Sequence, residues 1–197
     1  MNLTETTPLN SADFPIAELK DYLRLGSGFT DANVQDGLLE TCLRAAMGAI
    51  EARTTKILIE RSFNYSFTRY REERGGMLMP VSPIIYLNQI FVYDRAGAST
   101  SLSKNDFQLV NDSQRPVLQA KTGHLPEIPE QGWVVLRFVA GYGPWADVPN
   151  NLQQAMLMLA ATYYENRDVM VNGSGQMPLA VAGLLAPFQR IRLGGRA

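Results

Sequence analysis

The chain has 197 residues and 21.9 kDa, with 46% hydrophobic and 19% charged residues. That suits one domain of about 100–200 residues, or one domain carrying an inserted sub-domain. Its 18 Lys plus Arg against 19 Asp plus Glu give a formal charge of -1, which excludes a binder held on phosphate by net positive field. One Cys and one His exclude a disulfide framework, a Cys/His zinc site and a two-histidine metalloprotease motif within one chain. The charged fraction lies below the roughly 25% of an average soluble domain, leaving less polar surface than a free monomer usually carries.

The start, residues 1–13, is rich in Thr, Asn and Ser and reads as an N-terminal arm that a partner would have to order. It lacks a basic segment followed by an apolar stretch, so a signal peptide is not expected, and no 18-residue apolar run predicts a membrane span. From Phe14 the period becomes helical. Pro15 suits a first turn, and Ile16, Leu19 and Leu23 form a stripe closed by Gly26 and Gly28, predicting a short helix of about three turns. Asp31 then caps a longer helix reaching Arg53. Val34, Leu38, Cys42, Ala45 and Ala49 form one stripe there; Leu39, Leu43, Ala46 and Ile50 form an adjoining one. So broad an apolar face predicts packing on both sides. Asp36, Glu40, Arg44 and Glu51 mark the wet side, with Glu40 and Arg44 placed to pair four residues apart.

After Leu58 the period drops to two. Phe63, Tyr65 and Phe67 alternate with Asn64, Ser66 and Thr68, which sets three aromatics on one face of a strand. Arg69 to Gly76 reads as a charged loop ending in a glycine pair. Six more strands are predicted over 77–80, 86–93, 99–102, 107–110, 117–119 and 133–140, parted by Gly-, Asp- and Pro-bearing turns, among them the loop from His124 to Pro129. They read as one antiparallel sheet. Helical period returns at Asp147-Val148-Pro149, and the stretch Leu152 to Tyr164 is apolar nearly all round, as a central helix or one facing other subunits would be. A small helix over 179–185 is stopped by Pro187. After Asp168 the only charged side chains are Arg190, Arg192 and Arg196.

Catalytic sets are poorly represented. His124 sits in a Gly-His-Leu-Pro loop without a flanking nucleophile motif, and Cys42 falls in the apolar register of a helix, where a buried hydrophobe is the usual reading. Glu72 and Glu73 lie beside Arg71 and Arg74 and read as a solvated charge cluster rather than an acid/base pair. The glycine pairs match no phosphate or dinucleotide loop. No catalytic residue, cofactor or metal is therefore expected. The aromatic face of Phe63, Tyr65 and Phe67 leaves open a small-ligand or peptide-binding module, against the commoner reading of a core face. The tail alternates Phe188, Ile191 and Leu193 with Arg190 and Arg192, as a peptide that docks apolar anchors in a groove would.

Several phrases recur in a recognisable order: Ile16-Ala17-Glu18-Leu19-Lys20-Asp21-Tyr22, the Asp31-led helix ending Ile50-Glu51-Ala52-Arg53, and Ala140-Gly141-Tyr142-Gly143 followed by Asp147-Val148-Pro149. Tyr163-Tyr164-Glu165-Asn166-Arg167 and Gly183-Leu184-Leu185-Ala186-Pro187-Phe188 complete the series. Over residues 14–193 the chain resembles the head-to-tail connector, or adaptor, proteins of tailed bacteriophages and phage-like gene transfer agents. The closing Gln189-Arg190-Ile191-Arg192 resembles the Gln-Leu-Arg-Gly ending of some of them and departs from its wording.

The resemblance implies an α+β fold: a helical core with two long helices and short N- and C-terminal helices over residues 14–57 and 141–187. Into it an antiparallel β-sheet sub-domain is inserted at residues 58–140, and an extended C-terminal tail follows at 188–197. It implies a structural protein of the particle neck, assembled in the bacterial cytoplasm, that performs no bond-making chemistry. About a dozen copies would form a ring under the portal. Its partners would be the portal protein, a stopper or other tail protein, and double-stranded DNA sliding through the channel without sequence reading; no membrane is involved. Phe188, Gln189, Arg190, Ile191, Arg192 and Leu193 are the expected portal-binding residues. Arg69, Arg71, Glu72, Glu73 and Arg74 are the expected contact to a neighbouring subunit or the channel. A stopper or tail terminator is the alternative within such a particle.

Overall fold

The computed structural model describes residues 1–25, 35–73, 75–166 and 177–189, with Glu73 described by its backbone alone. The chain is α+β with antiparallel sheets and divides into two units. Met1–Leu9 with Ile59–Tyr142 form a sheet unit; Asn10–Leu58 with Gly143–Ala197 form a helical unit. Asp31, Arg74 and Arg190–Leu193 lie outside the described residues, and with them the expected cap of the long helix, part of the charged loop and most of the tail.

In the sheet unit the strands are β1 (Asn2–Glu5), β2 (Arg61–Phe67), β3 (Glu72–Glu73), β4 (Gly76–Leu78), β5 (Ile84–Tyr93), β6 (Ser99–Leu102), β7 (Phe107–Val110), β8 (Val117–Ala120) and β9 (Trp133–Ala140). One antiparallel sheet runs β1-β2-β9-β5-β6. Alternation sets its buried face: Phe63, Tyr65 and Phe67 of β2 stand opposite Phe138, Leu136 and Val134 of β9, and Leu136 and Val134 stand opposite Ile90 and Val92 of β5. The Phe63 and Phe138 rings stack at 5.8 Å. The aromatic face is thus core, which removes it as a ligand surface.

The expected single sheet is corrected: β3-β4-β8-β7 form a second, four-stranded one. Its signal was the unbroken apolar run Met77-Leu78-Met79, buried throughout, which marks a strand covered on both sides rather than one with a wet face. The charged stretch 69–76 consequently contains β3 and pairs through it with β4. Thr- and Asn-rich as it is, the start of the chain carries β1, the edge strand beside β2. It is latched by Thr6 N–H to the Ser62 carbonyl at 2.9 Å and by a Glu5 carboxylate 3.4 Å from the buried Arg61 guanidinium.

The helical unit holds α1 (Ile16–Tyr22), α2 (Asp36–Thr54), α3 (Asn150–Glu165) and α4 (Leu179–Leu185). Helix α3 is its centre, packed on α1, α2 and α4 with Leu152, Ala155, Met156, Leu159, Ala160 and Ala161 buried. The core reading of that helix therefore holds for its main face, while Tyr163 stays exposed. On α2 the stripe Leu39, Leu43, Ala46, Ile50 is fully buried. Of the adjoining stripe Val34 lies outside the described residues; Cys42 is buried, Leu38 and Ala49 are half-buried and Ala45 is exposed, so the described helix is covered over one broad face rather than on both sides. α1 is two turns rather than three, because Arg24 turns to φ 54 right after the Leu23 cap.

Polar contacts trim this core. Glu40 accepts from Arg44 at 2.7 Å, and the Arg44 guanidinium lies 4.4 Å from the Phe14 ring centroid. A hydrogen bond from Ser11, then Arg44, holds the Glu40 carboxyl below its ordinary pKa. Trp145 Nε1–H donates to both Glu18 carboxylate oxygens at 2.9 Å, tying the turn before α3 to α1. An exposed helix pair contributes about 0.3–0.5 kcal/mol, against about 1.5–3 kcal/mol for one buried Leu, so packing decides the stability and the polar contacts fix register.

Candidate interaction surfaces

The charged stretch is a surface feature with a rooted base. Arg69, Arg71 and Glu72 are exposed, while Tyr70 between them is half-buried and meets the Phe67 ring edge-on at 5.4 Å. Burial pushes the Tyr70 phenol up to about 12, so it stays neutral and anchors the turn as an apolar group. Burial also raises Tyr65, and the Arg71 charge partly offsets that. Arg71, just before β3, and Arg69 thus flank the anchored Tyr70 as exposed cations. Such a point can meet a neighbouring protein or a polyanion.

The second expected surface begins where α4 ends. Leu185 is buried and closes the unit, and the turn Ala186–Phe188 leaves Phe188 and Gln189 half-buried at the exit of the chain. The exposed Leu179 at the head of α4, 88% accessible, is a further apolar group on that helix. The charged stretch belongs to the sheet unit and the tail to the helical unit. His124 and Cys42 join no cluster: among the described residues, no three His, Cys, Asp or Glu side chains are placed to hold a metal ion. Also among the described residues, no helix is long and apolar enough to cross a membrane.

One surface escaped the sequence reading, a groove of about 320 Å³ between the start of β5 and the β7–β8 pair. Its signal was the loss of alternation at Ile85-Tyr86. Register shifts flanking Ile84/Tyr86 and Leu87/Gln89 turn both residues outward, 40% and 50% exposed.

Comparison with known structures gives the class of this chain. No family model and no curated protein matches the chain. Among the solved structures that match it are three that cover its whole length. A chain in the neck of an empty gene transfer agent particle computed with C6 symmetry is 39% identical, with a TM-score of 0.89 and 100% of both chains covered. One in the virion of a native gene transfer agent particle is 38% identical, with a TM-score of 0.85 and 99% of that chain covered. One in the neck of a native particle computed with C12 symmetry is 36% identical, with a TM-score of 0.83 and 100% of both chains covered.

The protein is accordingly a structural head-tail neck component of a phage-like particle. It belongs to the family of neck proteins of gene transfer agent particles.

Proposed function

We propose that the chain is the adaptor of that neck: about a dozen copies close a ring beneath the portal, extend the DNA channel and offer the tail its attachment surface. The observation that carries this is the end-to-end likeness, at 36–39% identity, to chains from necks computed with C6 and C12 symmetry. In this reading α2 and α3 form the ring body and the sheet unit is an inserted lateral or tail-facing sub-domain. A formal charge of -1 suits a lumen through which a duplex slides, since a strongly basic wall would hold it through counter-ion release. The function is mechanical and needs no bond-making group.

The tail, Phe188 to Leu193, grips the portal, Phe188, Ile191 and Leu193 entering apolar pockets and Arg190 and Arg192 meeting carboxylates. Deleting residues 188–197 is expected to leave a folded protein by circular dichroism that no longer co-sediments with portal; undiminished co-sedimentation would remove the tail from the mechanism. Arg69 to Arg74 contacts a neighbour or the channel. Changing Arg71→Glu together with Arg74→Glu should cut the yield of filled, tailed particles in electron micrographs, and a normal yield would dismiss that role. Particles lacking the whole protein should stop at untailed heads with portal in place. A defect confined to tail length would point instead to a terminator.

A further inference from the structure

The side of the five-stranded sheet that faces away from its core has the composition of an interface. Register turns Trp133, Val135 and Arg137 of β9 outward together with Phe91 and Tyr93 of β5. At their outward positions β1, β2 and β6 offer only Ser, Thr and Asn. Arg137 is thus the one charged side chain on the paired part of that side. Tyr93 and Trp133 stack at 4.9 Å, Phe91 lies 6.3 Å from Tyr93, and these three rings and Val135 are half-buried. An aromatic patch rimmed by hydroxyls and amides and almost bare of charge marks a surface that another protein covers.

Arg137 is set for a single acid. Its guanidinium lies 4.9 Å from the Phe91 ring centroid and donates one hydrogen bond, to Gln89 Oε1 at 3.2 Å. Among the described residues it has no carboxylate partner, so the rest of its donor fork remains for an outside acceptor. Held flat on a ring, a guanidinium loses little freedom when a carboxylate takes that fork. One cation amid apolar rings suits one carboxylate amid apolar groups, whereas a duplex backbone would call for several cations. Pairing the patch with itself across a two-fold axis would bring two Arg137 charges together, which disfavours that arrangement.

The helical unit carries the complement. On α1, Asp21 and Tyr22 stand three and four residues beyond Glu18, so the three share one side of the helix. Asp21 is exposed and has no ion-pair partner among the described residues, and Tyr22 is 44% exposed. Among the exposed large apolar side chains of the described residues, Tyr22 alone has a carboxylate one turn away on its own helix. Lys20 is engaged with Asp36 and leaves that side of α1 acidic. Arg137 and Asp21 are both exposed and form no pair within one chain. Two unlike, complementary surfaces on every copy are what a head-to-tail, ring-closing contact requires.

We propose that Phe91, Tyr93, Trp133, Val135 and Arg137 receive α1 of the adjacent copy of this chain, Asp21 taking the Arg137 fork and Tyr22 lying against the aromatic rings. This rests on the ring assembly proposed above. The test uses assembled particles in which Ser101, exposed on β6 and paired with Phe91, is replaced by the photo-cross-linker p-benzoylphenylalanine. Irradiation should give a product of twice the mass of the chain whose cross-linked peptide contains α1. A product joining this chain to another protein of the particle, a self-product that maps outside α1, or no product would each overturn the proposal and leave the ring standing.

Charge exchange supplies a second arm. Arg137→Glu and Asp21→Arg, each folded by circular dichroism, should each lower the yield of tailed particles roughly tenfold, because like charges then meet across a desolvated contact. Both changes on one chain should restore the yield, since every contact of the ring then pairs the exchanged charges. A double variant as poor as either single one would overturn the proposal. Normal tails on particles lacking the whole protein would dismiss the adaptor ring and this contact together.

Discussion

Phe138→Ala is expected to remove about 3–5 kcal/mol from the sheet unit, because a large side chain leaves a cavity that its neighbours fill only in part. Phe138 is 0% exposed, sits on the central strand β9 between β2 and β5, and stacks on Phe63 across the ladder. No other aromatic of the unit has both a cross-strand ring partner on the buried face and complete burial. For a unit of this size about 4–8 °C accompanies each kcal/mol, so the midpoint should fall by roughly 12–40 °C. The readout is built into the sequence: the two tryptophans are divided, Trp133 in the sheet unit and Trp145 in the helical unit. In a Trp145→Phe background the fluorescence of Trp133, stacked on Tyr93, reports the sheet unit alone. A fall under 1 kcal/mol would mean that β9 is not the strand around which this core is organised. Phe138→Leu, which keeps most of the volume, should cost well under half as much.

Those elements were legible where the period of the sequence and the geometry of burial coincide. β2 alternates over its seven residues and is buried at every second one, while β9 alternates in burial from Trp133 to Phe138 and ends in the buried run Phe138-Val139-Ala140. α4 falls at the expected residues because Pro178 precedes it and Pro187 follows it. What remained hidden depends on partners distant in sequence. Met77-Leu78 announces burial on both faces but not which strand covers it, so the second sheet was read as part of the first. On α2 composition offered two adjoining stripes, yet only tertiary packing chooses between them, and it covers Leu39 and Ile50 while leaving Ala45 in water. The groove was hidden for a related reason: a bulge is a fault in one strand's alternation, and its consequence at Tyr86 appears only when β7 and Lys104 are folded against it. The recognised phrases fared better than single residues, since Gly141 and Gly143 belong to a passage whose backbone geometry demands them.

Gly141→Ala is the second large effect. Gly141 has φ +131, a region that L side chains enter only under strain of about 1–3 kcal/mol. Space forbids the methyl as well. A Cβ there would stand 2.6 Å from the Glu60 Cα and 2.7 Å from the Glu60 nitrogen, backbone that cannot rotate away. On the other side the Gly141 N–H donates to the Pro83 carbonyl at 3.1 Å, so the end of β9 is held between the entry to β2 and the turn before β5 and cannot retreat. Strain and displacement together should cost about 3–5 kcal/mol, read as a lowered Trp133 transition. Gly48 supplies the opposite case: it lies mid-helix in α2 with nothing within 4 Å of a Cβ, so Gly48→Ala should raise the Trp145 transition by about 0.5–1 kcal/mol. If Gly141→Ala proved as mild as Gly48→Ala, the Ala-Gly-Tyr-Gly passage would owe its form to something other than the close approach of two chain segments. Because the sheet unit ends at Tyr142 and the helical unit resumes at Gly143, a fault at Gly141 sits at the second of the two passages of the chain from sheet unit to helical unit. Neck assembly should therefore fail with it even in the fraction of molecules whose sheet unit still folds.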